Sequence, residues 1–301
     1  MKPSDVLSKQ EREALLQRSD LRAWWLVLST WLLIFGLLLL VGYFPSVLTV
    51  LLAWIVLPGR QLSLAVLMHE AGHGSLFRTK QLNDWVGQWL CALPTLGDLT
   101  SYARGHAAHH RLAGTNEDPD LANYRAYPIR KSSLIRKWKR DLTGQTGLKL
   151  LVALATGAGS QMSRETMGSK SLVVRQALVQ ALLAAVLIAL GVGWTWFVWM
   201  GTFLTSYMWV VRLRQVGEHA VVPDLYDLDV RMNTRTVDAP FWQRFLFAPN
   251  NVNLHMEHHF MAGVPCYNLP RLRAMLRAKG HLDGVPMVTG YGQVLKLAVT
   301  D

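Results

Sequence analysis

Apolar residues in this chain are concentrated in long runs that polar segments separate. Residues 24–41 form a nearly unbroken apolar run, residues 47–68 form a second, and residues 173–190 and 194–211 form two more. A helix needs about 20 mostly apolar residues to cross a bilayer, and each run is close to that length. Short uncharged turns join the runs within each pair. The pattern predicts an all-α integral membrane protein with about four transmembrane helices in two hairpins.

The second apolar run is interrupted by Pro58 and Arg60. We expect one long helix that leaves the hydrocarbon near Arg60 and carries the histidines that follow beyond the membrane; a helix that ends at Pro58 is the alternative. The apolar stretches 85–96 and 148–158 are too short to span a bilayer. Re-entrant or interfacial helices suit them better.

Composition supports a membrane protein over a soluble one. The chain is 51% hydrophobic and only 17% charged, whereas soluble domains carry about 25% charged residues. Its net charge of +11 and twelve tryptophans fit basic membrane flanks and interfacial aromatic residues. The basic residues flank apolar runs and form no separate domain, which weighs against nucleic-acid binding. Two cysteines without metal or disulfide spacing fit a reducing, cytosol-facing location.

The distribution of basic residues predicts the orientation. The turns 42–46 and 191–193 contain no Lys or Arg, whereas residues 104–149 are rich in both. By the positive-inside rule, both termini and this middle segment are cytoplasmic, and we expect an integral protein of a bacterial inner membrane without a cleavable signal peptide. One membrane-bound domain is expected over residues 1–301, divided into an N-terminal segment (1–23), a first hairpin (24–66), a cytoplasmic and interfacial region (67–172), a second hairpin (173–213) and a cytoplasmic C-terminal region (214–301).

Eight of the ten histidines form three clusters that all fall on the predicted cytoplasmic side. Spacings of three and four residues place side chains on one face of a helix, so each cluster can direct two or three rings to a common centre. Imidazole is the commonest metal-binding side chain in proteins, and the clusters therefore predict a metal site. The clusters are His69 and His73; His106, His109 and His110; and His255, His258 and His259. His219 lies between the second and third clusters, and His281 is expected at the surface.

The identity of the metal is left open by the residues alone. Zinc takes about four ligands, so two zinc ions could use roughly eight histidines, and two irons with open positions for dioxygen fit as well. The sequence from His69 to His73 also matches the HExxH pattern of zinc peptidases, in which Glu70 would activate a water molecule. That interpretation leaves most of the second and third clusters unused.

The ordered set HxxxH, HxxHH and HxxHH, with paired spans before the first box and between the second and third, resembles the integral-membrane fatty acid desaturase and hydroxylase superfamily. The stretches Gly114-Thr-Asn-Glu-Asp-Pro-Asp120 and Val264-Pro-Cys-Tyr-Asn-Leu-Pro270 also match. The resemblance extends over about residues 60–276. It implies a cytoplasmic helical cap that carries the boxes, two non-haem irons, dioxygen, two external electrons, and attack on a C–H bond of a lipid chain.

The resemblance also assigns individual residues. Gln215 stands where acyl-CoA desaturases have an Asn, so a water-mediated metal contact there and acyl-CoA specificity are both left open. The implied metal ligands are His69, His73, His106, His109, His110, His219, His255, His258 and His259. The candidates for orienting these imidazoles through the other ring nitrogen are Glu70, Asp120, Gln215, Glu218, Asn251 and Glu257.

The function expected from the resemblance is a dioxygen-dependent di-iron desaturase of a fatty acyl or lipid chain. The alternatives are a hydroxylase or ketolase that acts on an acyl, sphingoid or carotenoid chain, then the zinc peptidase, then a non-enzymatic metal-binding membrane receptor. No cytochrome b5-like His-Pro-Gly-Gly segment is present, so we expect a separate electron donor, either ferredoxin with its reductase or free cytochrome b5. The residues expected to line an apolar substrate slot are Phe77, Trp85, Trp89, Tyr102, Trp209 and Phe260.

Overall fold

A computed structural model describes residues 2–156 and 170–301, which are mostly helical, as the sequence predicts. Two pairs of two-residue strands, β1 with β4 and β2 with β3, are parallel and join distant loops. The strands are β1 (Ile129–Arg130), β2 (Val237–Asp238), β3 (Val288–Thr289) and β4 (Val299–Thr300). The helices are α1 (Pro3–Val6), α2 (Lys9–Leu15), α3 (Asp20–Tyr43), α4 (Val47–Gly72), α5 (Lys80–Val86), α6 (Leu99–Leu112), α7 (Lys131–Leu142), α8 (Gln145–Thr156), α9 (Lys170–Ala189), α10 (Thr195–Leu204), α11 (Ser206–His219), α12 (Val230–Asn233), α13 (Phe241–Phe247), α14 (His255–Phe260), α15 (Leu269–Ala278) and α16 (Gly290–Leu297).

Helix α4 is the central element of the fold. It packs against α3, α6, α10, α11 and α13. In its most apolar 18-residue window, 61% is buried within the protein, against 28% for each of the other two candidate spans. Because α4 is surrounded by other helices, the histidines at its C-terminal end lie where several elements meet.

The long-helix prediction for the second apolar run is correct, since α4 continues through Pro58. At Gly59 a Cβ atom would lie 2.5 Å from the backbone oxygen of Leu246, so glycine permits α13 to approach closely. Polar groups in the same part of α4 have partners: the Arg60 guanidinium donates to the Phe245 carbonyl, and the Gln61 side chain donates to the Trp199 carbonyl at 2.9 Å. These contacts satisfy part of the polar groups that the proline-containing segment brings inside, whereas Nε of Arg60 and Oε1 of Gln61 have no hydrogen-bond partner among the described residues.

Within residues 2–156 and 170–301, three helices are long and apolar enough to cross a membrane: Lys9–Tyr43, Val47–Gly72 and Lys170–Ala189. The first contains α2 and α3, which a short non-helical turn separates. The fourth predicted span, residues 194–211, is not one helix. It is divided into α10 and α11 at Thr205, whose backbone angles (φ −121°, ψ −90°) lie outside the helical region.

The two shorter apolar stretches are helical as well. Residues 85–95 fall in α5, a π-helical turn (Gly87–Ala92) and a 3₁₀ turn (Leu93–Thr95), and Leu96 follows in a left-handed conformation. This segment packs against α4, and the Trp31 indole of α3 donates to the Leu90 carbonyl at 3.0 Å. Of the stretch 148–158, residues up to 156 belong to α8, and the last two lie outside the described residues.

The N-terminal segment packs against the C-terminal region. Leu7 and Leu15 are buried in one cluster with Leu272 and Leu276 of α15. The Asn268 side chain donates to the Leu15 carbonyl at 2.9 Å. The two ends of the chain therefore lie on the same side of the helical hairpins as the third histidine cluster.

Candidate metal centre

The clustered histidines are held where helices end. His69 and His73 lie at the C-terminal end of α4, His109 lies in the last turn of α6, and His219 is the last residue of α11. The third cluster forms α14. Because a helix C-terminus carries a partial negative charge, three helix ends that meet here favour a bound cation.

The nine histidines converge into two donor groups. Within each group, one ligand atom from every member lies within 4.8 Å of the others. The first box contributes to one group only, the second and third boxes contribute to both, and the lone His219 completes the smaller group. The five-histidine group consists of His69, His73, His106, His110 and His258, and the four-histidine group consists of His109, His219, His255 and His259.

The spacing of the ring nitrogens suits a transition metal. The Nε2 atom of His258 lies 3.0 Å from that of His69 and 2.9 Å from that of His110. In the other group, the Nε2 atom of His219 lies 2.8 Å from that of His255 and 3.2 Å from that of His109. Two imidazoles that bind one ion at about 2.1 Å and at right angles have their nitrogens about 3 Å apart.

Two further ring nitrogens support this interpretation. The Nε2 atoms of His73 and His259 are buried and have no hydrogen-bond partner among the described residues. Burying a polar atom without a partner is costly, so these nitrogens favour a ligand between the rings. The donor set is entirely imidazole, which suits iron, zinc, copper or nickel and not magnesium or calcium.

Burial keeps several of these imidazoles neutral: His110, His219, His255, His258 and His259. Burial lowers the pKa of His219 to about 3, with further lowering from the neighbouring His109, and burial with the charges of adjacent rings lowers the pKa of His110 to about 2. The pKa values of His255, His258 and His259 are lowered for the same reasons. A neutral ring is the form that binds metal.

Three imidazoles of the four-histidine group are oriented through Nδ1. The Nδ1 atom of His109 lies 2.7 Å from Oδ1 of Asp118, and Nδ1 of His219 faces the carbonyl oxygen of Asn233 at 3.2 Å. His255 Nδ1 lies 3.6 Å from Oε1 of Glu218. Such partners fix the ring orientation and make the metal-facing nitrogen more basic.

Asp118 and Asn233 were not selected from the sequence. Asp118 lies in the Gly114–Asp120 stretch that carries part of the family resemblance, which is the one signal that could have pointed to it. Its carboxylate also accepts a hydrogen bond from the Tyr124 hydroxyl. Although burial opposes ionisation, the hydrogen bonds from His109 and Tyr124 lower its pKa. The contact of His219 with Asn233 uses a backbone carbonyl, which sequence patterns do not reveal.

The other predicted orienting residues differ in what they contact. Glu70 lies 3.2 Å from Nδ1 of His69, and Asp120 lies 3.9 Å from Nδ1 of His109. The Asn251 side chain donates to the Cys266 carbonyl, and Gln215 lines a cavity. The Glu257 carboxylate accepts from Arg273 at 2.8 Å and from Thr236, with no imidazole contact among the described residues. His281, expected at the surface, belongs to neither donor group.

A cavity of about 350 Å³ opens beside both donor groups. It is bounded by His106 of the five-histidine group and by three members of the four-histidine group: His109, His219 and His255. The apolar part of its wall includes Leu62, Met68, Leu96, Leu150, Phe203 and Val211. A flexible apolar chain can therefore reach the ring nitrogens.

Of the six aromatic residues expected to line a substrate slot, only Tyr102 borders this cavity. Phe77 and Phe260 are buried in separate hydrophobic clusters, and Trp85 is 54% exposed. Trp209 packs edge to face against Trp138 and Phe247. The wall is built instead from aliphatic residues such as Leu62 of α4, Leu150 of α8 and Val211 of α11, with the aromatic residues Phe203 and Tyr207 beside them.

Comparison with known proteins identifies the class. The sequence matches the fatty acid desaturase family over residues 44–291, which is most of the chain and includes every box. The chain therefore belongs to the fatty acid desaturase family.

Two individual relatives are distant. The chain is 24% identical over 296 residues to the sn-1 oleoyl-lipid 12-desaturase of a Picosynechococcus species, covering 91% of this chain and 81% of the relative. It is 26% identical over 230 residues to the dihydrorhizobitoxine desaturase of Bradyrhizobium elkanii, covering 72% of this chain and 65% of the relative. The relatives support a desaturase-type oxidoreductase and leave the substrate open.

Proposed function

We propose that this protein is a membrane-bound, dioxygen-dependent di-iron desaturase that introduces a double bond into a fatty acyl or lipid chain. The observation that carries the proposal is the convergence of nine histidines into two donor groups beside one apolar-walled cavity. The nine histidines are the proposed ligands of two non-haem irons. Family membership supports the reaction class.

The protein residues have distinct tasks in this proposal. Bound iron would supply the oxidising power for dioxygen chemistry. The imidazoles hold the metals with neutral donors, and Asp118, Glu218 and Glu70 orient three of them. The aliphatic wall excludes water and holds the chain against the donor groups, which positions the C–H bonds to be broken.

The zinc peptidase interpretation fits the geometry poorly. A peptidase glutamate must face the metal-bound water. Here the Glu70 carboxylate accepts hydrogen bonds from the Cys266 backbone at 2.7 Å and the Ser75 hydroxyl at 3.0 Å, and it faces Nδ1 of His69. Glu70 thus connects the first box to the loop after the third and supports a ring, while the remaining histidines complete the donor groups.

Iron content and product mass test the proposal. We expect about two irons per purified chain, and lipids that lose two hydrogens when the protein is expressed in a host of known lipid profile. His258→Ala removes one ligand from the five-histidine group, and His109→Ala removes one from the four-histidine group. Each should abolish product, whereas His281→Ala should not. A gain of one oxygen would identify a hydroxylase or ketolase instead. Stoichiometric zinc with full activity would refute the di-iron proposal.

We further propose two membrane hairpins, α3–α4 and α9 with the interrupted span α10–α11, and a cytoplasmic helical cap in a bacterial inner membrane. The two native cysteines are buried, so engineered cysteines report cleanly. Arg136→Cys, at an exposed position of α7, should be protected from an impermeant thiol reagent in spheroplasts, and Pro45→Cys, in the α3–α4 turn, should be labelled. The reverse pattern would invert the topology.

The two electrons are proposed to come from a separate protein, ferredoxin with its reductase or free cytochrome b5. Purified protein should turn over only when such a donor is added. Turnover with NADPH alone would contradict this part of the proposal.

A further inference from the structure

A partly buried arginine, Arg214, faces the cavity. It lies on α11 five residues before His219 and lines the cavity wall. Its Nε and Nη2 atoms contact the Glu218 carboxylate at 2.6 and 2.8 Å. These contacts use Nε and Nη2 and leave Nη1 outside the ion pair, and 18% of the side chain is accessible. Part of the guanidinium is thus available to a molecule in the cavity.

Arg214 is close to the four-histidine group. One carboxylate, Glu218, connects its guanidinium to the His255 ring, because Oε1 of Glu218 lies 3.6 Å from Nδ1 of His255. Asn123, Gln215 and the carboxylates Asp120 and Glu218 line the cavity with Arg214, whereas Leu62, Leu150 and Phe203 belong to its apolar wall. The cavity therefore has a polar part beside the metal donors and an apolar part farther along α4 and α10.

A chain composed only of methylene groups fits the polar part poorly. It would displace water from Nη1 without returning a hydrogen bond, and burying a donor that has no acceptor is costly. Metal cations in the donor groups would also repel the positively charged Arg214 guanidinium, which adds to this cost. A ligand that brings a hydrogen-bond acceptor to Arg214 avoids this cost, and charge-assisted hydrogen bonds are among the stronger ones.

We propose that Arg214 binds an oxygen of the substrate's carboxyl group, either a free carboxylate or an ester carbonyl, and thereby directs oxidation to carbons near the carboxyl end of the chain. The inference rests on the proposed function, since it assigns the polar end of the same substrate. Arg214 is then a specificity-determining residue. The chain's apolar remainder lies along Leu62, Met68 and Phe203.

Binding tests this without requiring turnover. Metal-loaded protein in detergent micelles binds tritiated palmitic acid, which unlabelled palmitic acid, methyl palmitate or hexadecane then displaces. We expect the two oxygen-bearing competitors to act at concentrations about tenfold or more below that of hexadecane, as one charge-assisted hydrogen bond allows. Stronger displacement by the acid indicates a carboxylate ligand, and equal displacement indicates an ester carbonyl.

Variants separate recognition from metal support. Arg214→Met should lose the preference, Arg214→Lys should keep it, and Arg271→Met, at an exposed position of α15, should match the wild type. Equal displacement by hexadecane in the wild type would overturn the inference. So would a preference that survives in Arg214→Met, or an Arg214→Lys protein that holds both metals but has lost the preference.

Product analysis gives a second, separable result. If the wild type forms a double bond in a palmitoyl chain, the inference requires it near the carboxyl end, and a bond near the methyl end would overturn the inference while leaving the desaturase proposal intact. If no oxidised product forms with any electron donor, the proposed function fails, and the binding preference still decides the role of Arg214.

Discussion

Replacement of Asp118 should weaken one metal site and spare the other. The Asp118 carboxylate lies 2.7 Å from Nδ1 of His109, and both side chains are almost fully buried, with 1% and 3% of their surfaces accessible. Asp118→Ala removes the group that orients this ring. It also leaves the Tyr124 hydroxyl without its acceptor. His109 belongs to the four-histidine group, so the five-histidine group should keep its metal.

The size of the effect follows from the contact. A hydrogen bond to a charged group contributes about 1.5–3 kcal/mol, and loss of such a partner typically reduces metal affinity about 10–100-fold. We therefore expect the iron of the four-histidine group to bind about 10–100-fold more weakly in Asp118→Ala. Asp118→Asn, which keeps an oxygen acceptor without the charge, should show a smaller loss.

The assay is titration of metal-free protein with ferrous iron in chelator-buffered solution, with iron per chain measured at each free concentration. Glu117→Ala is the matched control, because Glu117 is the exposed neighbour in the same loop. Unfolding temperature is measured in parallel to separate metal affinity from general instability. Unchanged affinity in Asp118→Ala, or equal loss of both irons, would refute the reasoning.

Three further predictions concern stability in detergent, measured by thermal unfolding. Gly59→Ala places a Cβ 2.5 Å from a carbonyl oxygen of α13 and should cost roughly 1–3 kcal/mol, whereas Gly36→Ala, with no atom within 4 Å, should be neutral or slightly stabilising. Asp141→Asn breaks a buried ion pair between α7 and α11 and should cost about 3 kcal/mol, but Asp84→Asn breaks an exposed one and should cost less than about 1 kcal/mol. The pKa of His219 is about 3 in the folded protein, below its value of about 6.5 in the unfolded chain, so the unfolded chain binds more protons. The metal-free protein should therefore lose stability as pH falls from 7 towards 4. An unfolding temperature that is equal at pH 7 and pH 5 would contradict this.

The long helices and the clustered histidines could be predicted from the sequence because they depend on local spacing. The runs of apolar residues predicted the long helices, including the passage of α4 through Pro58, since helix length and composition are local properties. The break at Thr205 was missed, because composition gives no signal where a helix is interrupted within an apolar run. The substrate slot was missed for a related reason: which aromatic residue borders a cavity depends on packing between helices distant in sequence.

The sequence by itself pointed to the class of protein and to His219 through the family resemblance, and to the other eight imidazoles because spacings of three and four residues make histidines share a helix face wherever the helix lies. Only the tertiary structure decided how these rings divide into groups of five and four, and that Asp118 orients His109. It also decided that Arg214 faces the cavity beside His255. The physical reason is that the ends of α4, α6 and α11 meet α14 at this site, which brings together residues that are far apart in the chain. The division of the histidines between two groups and the shape of the cavity both depend on these contacts.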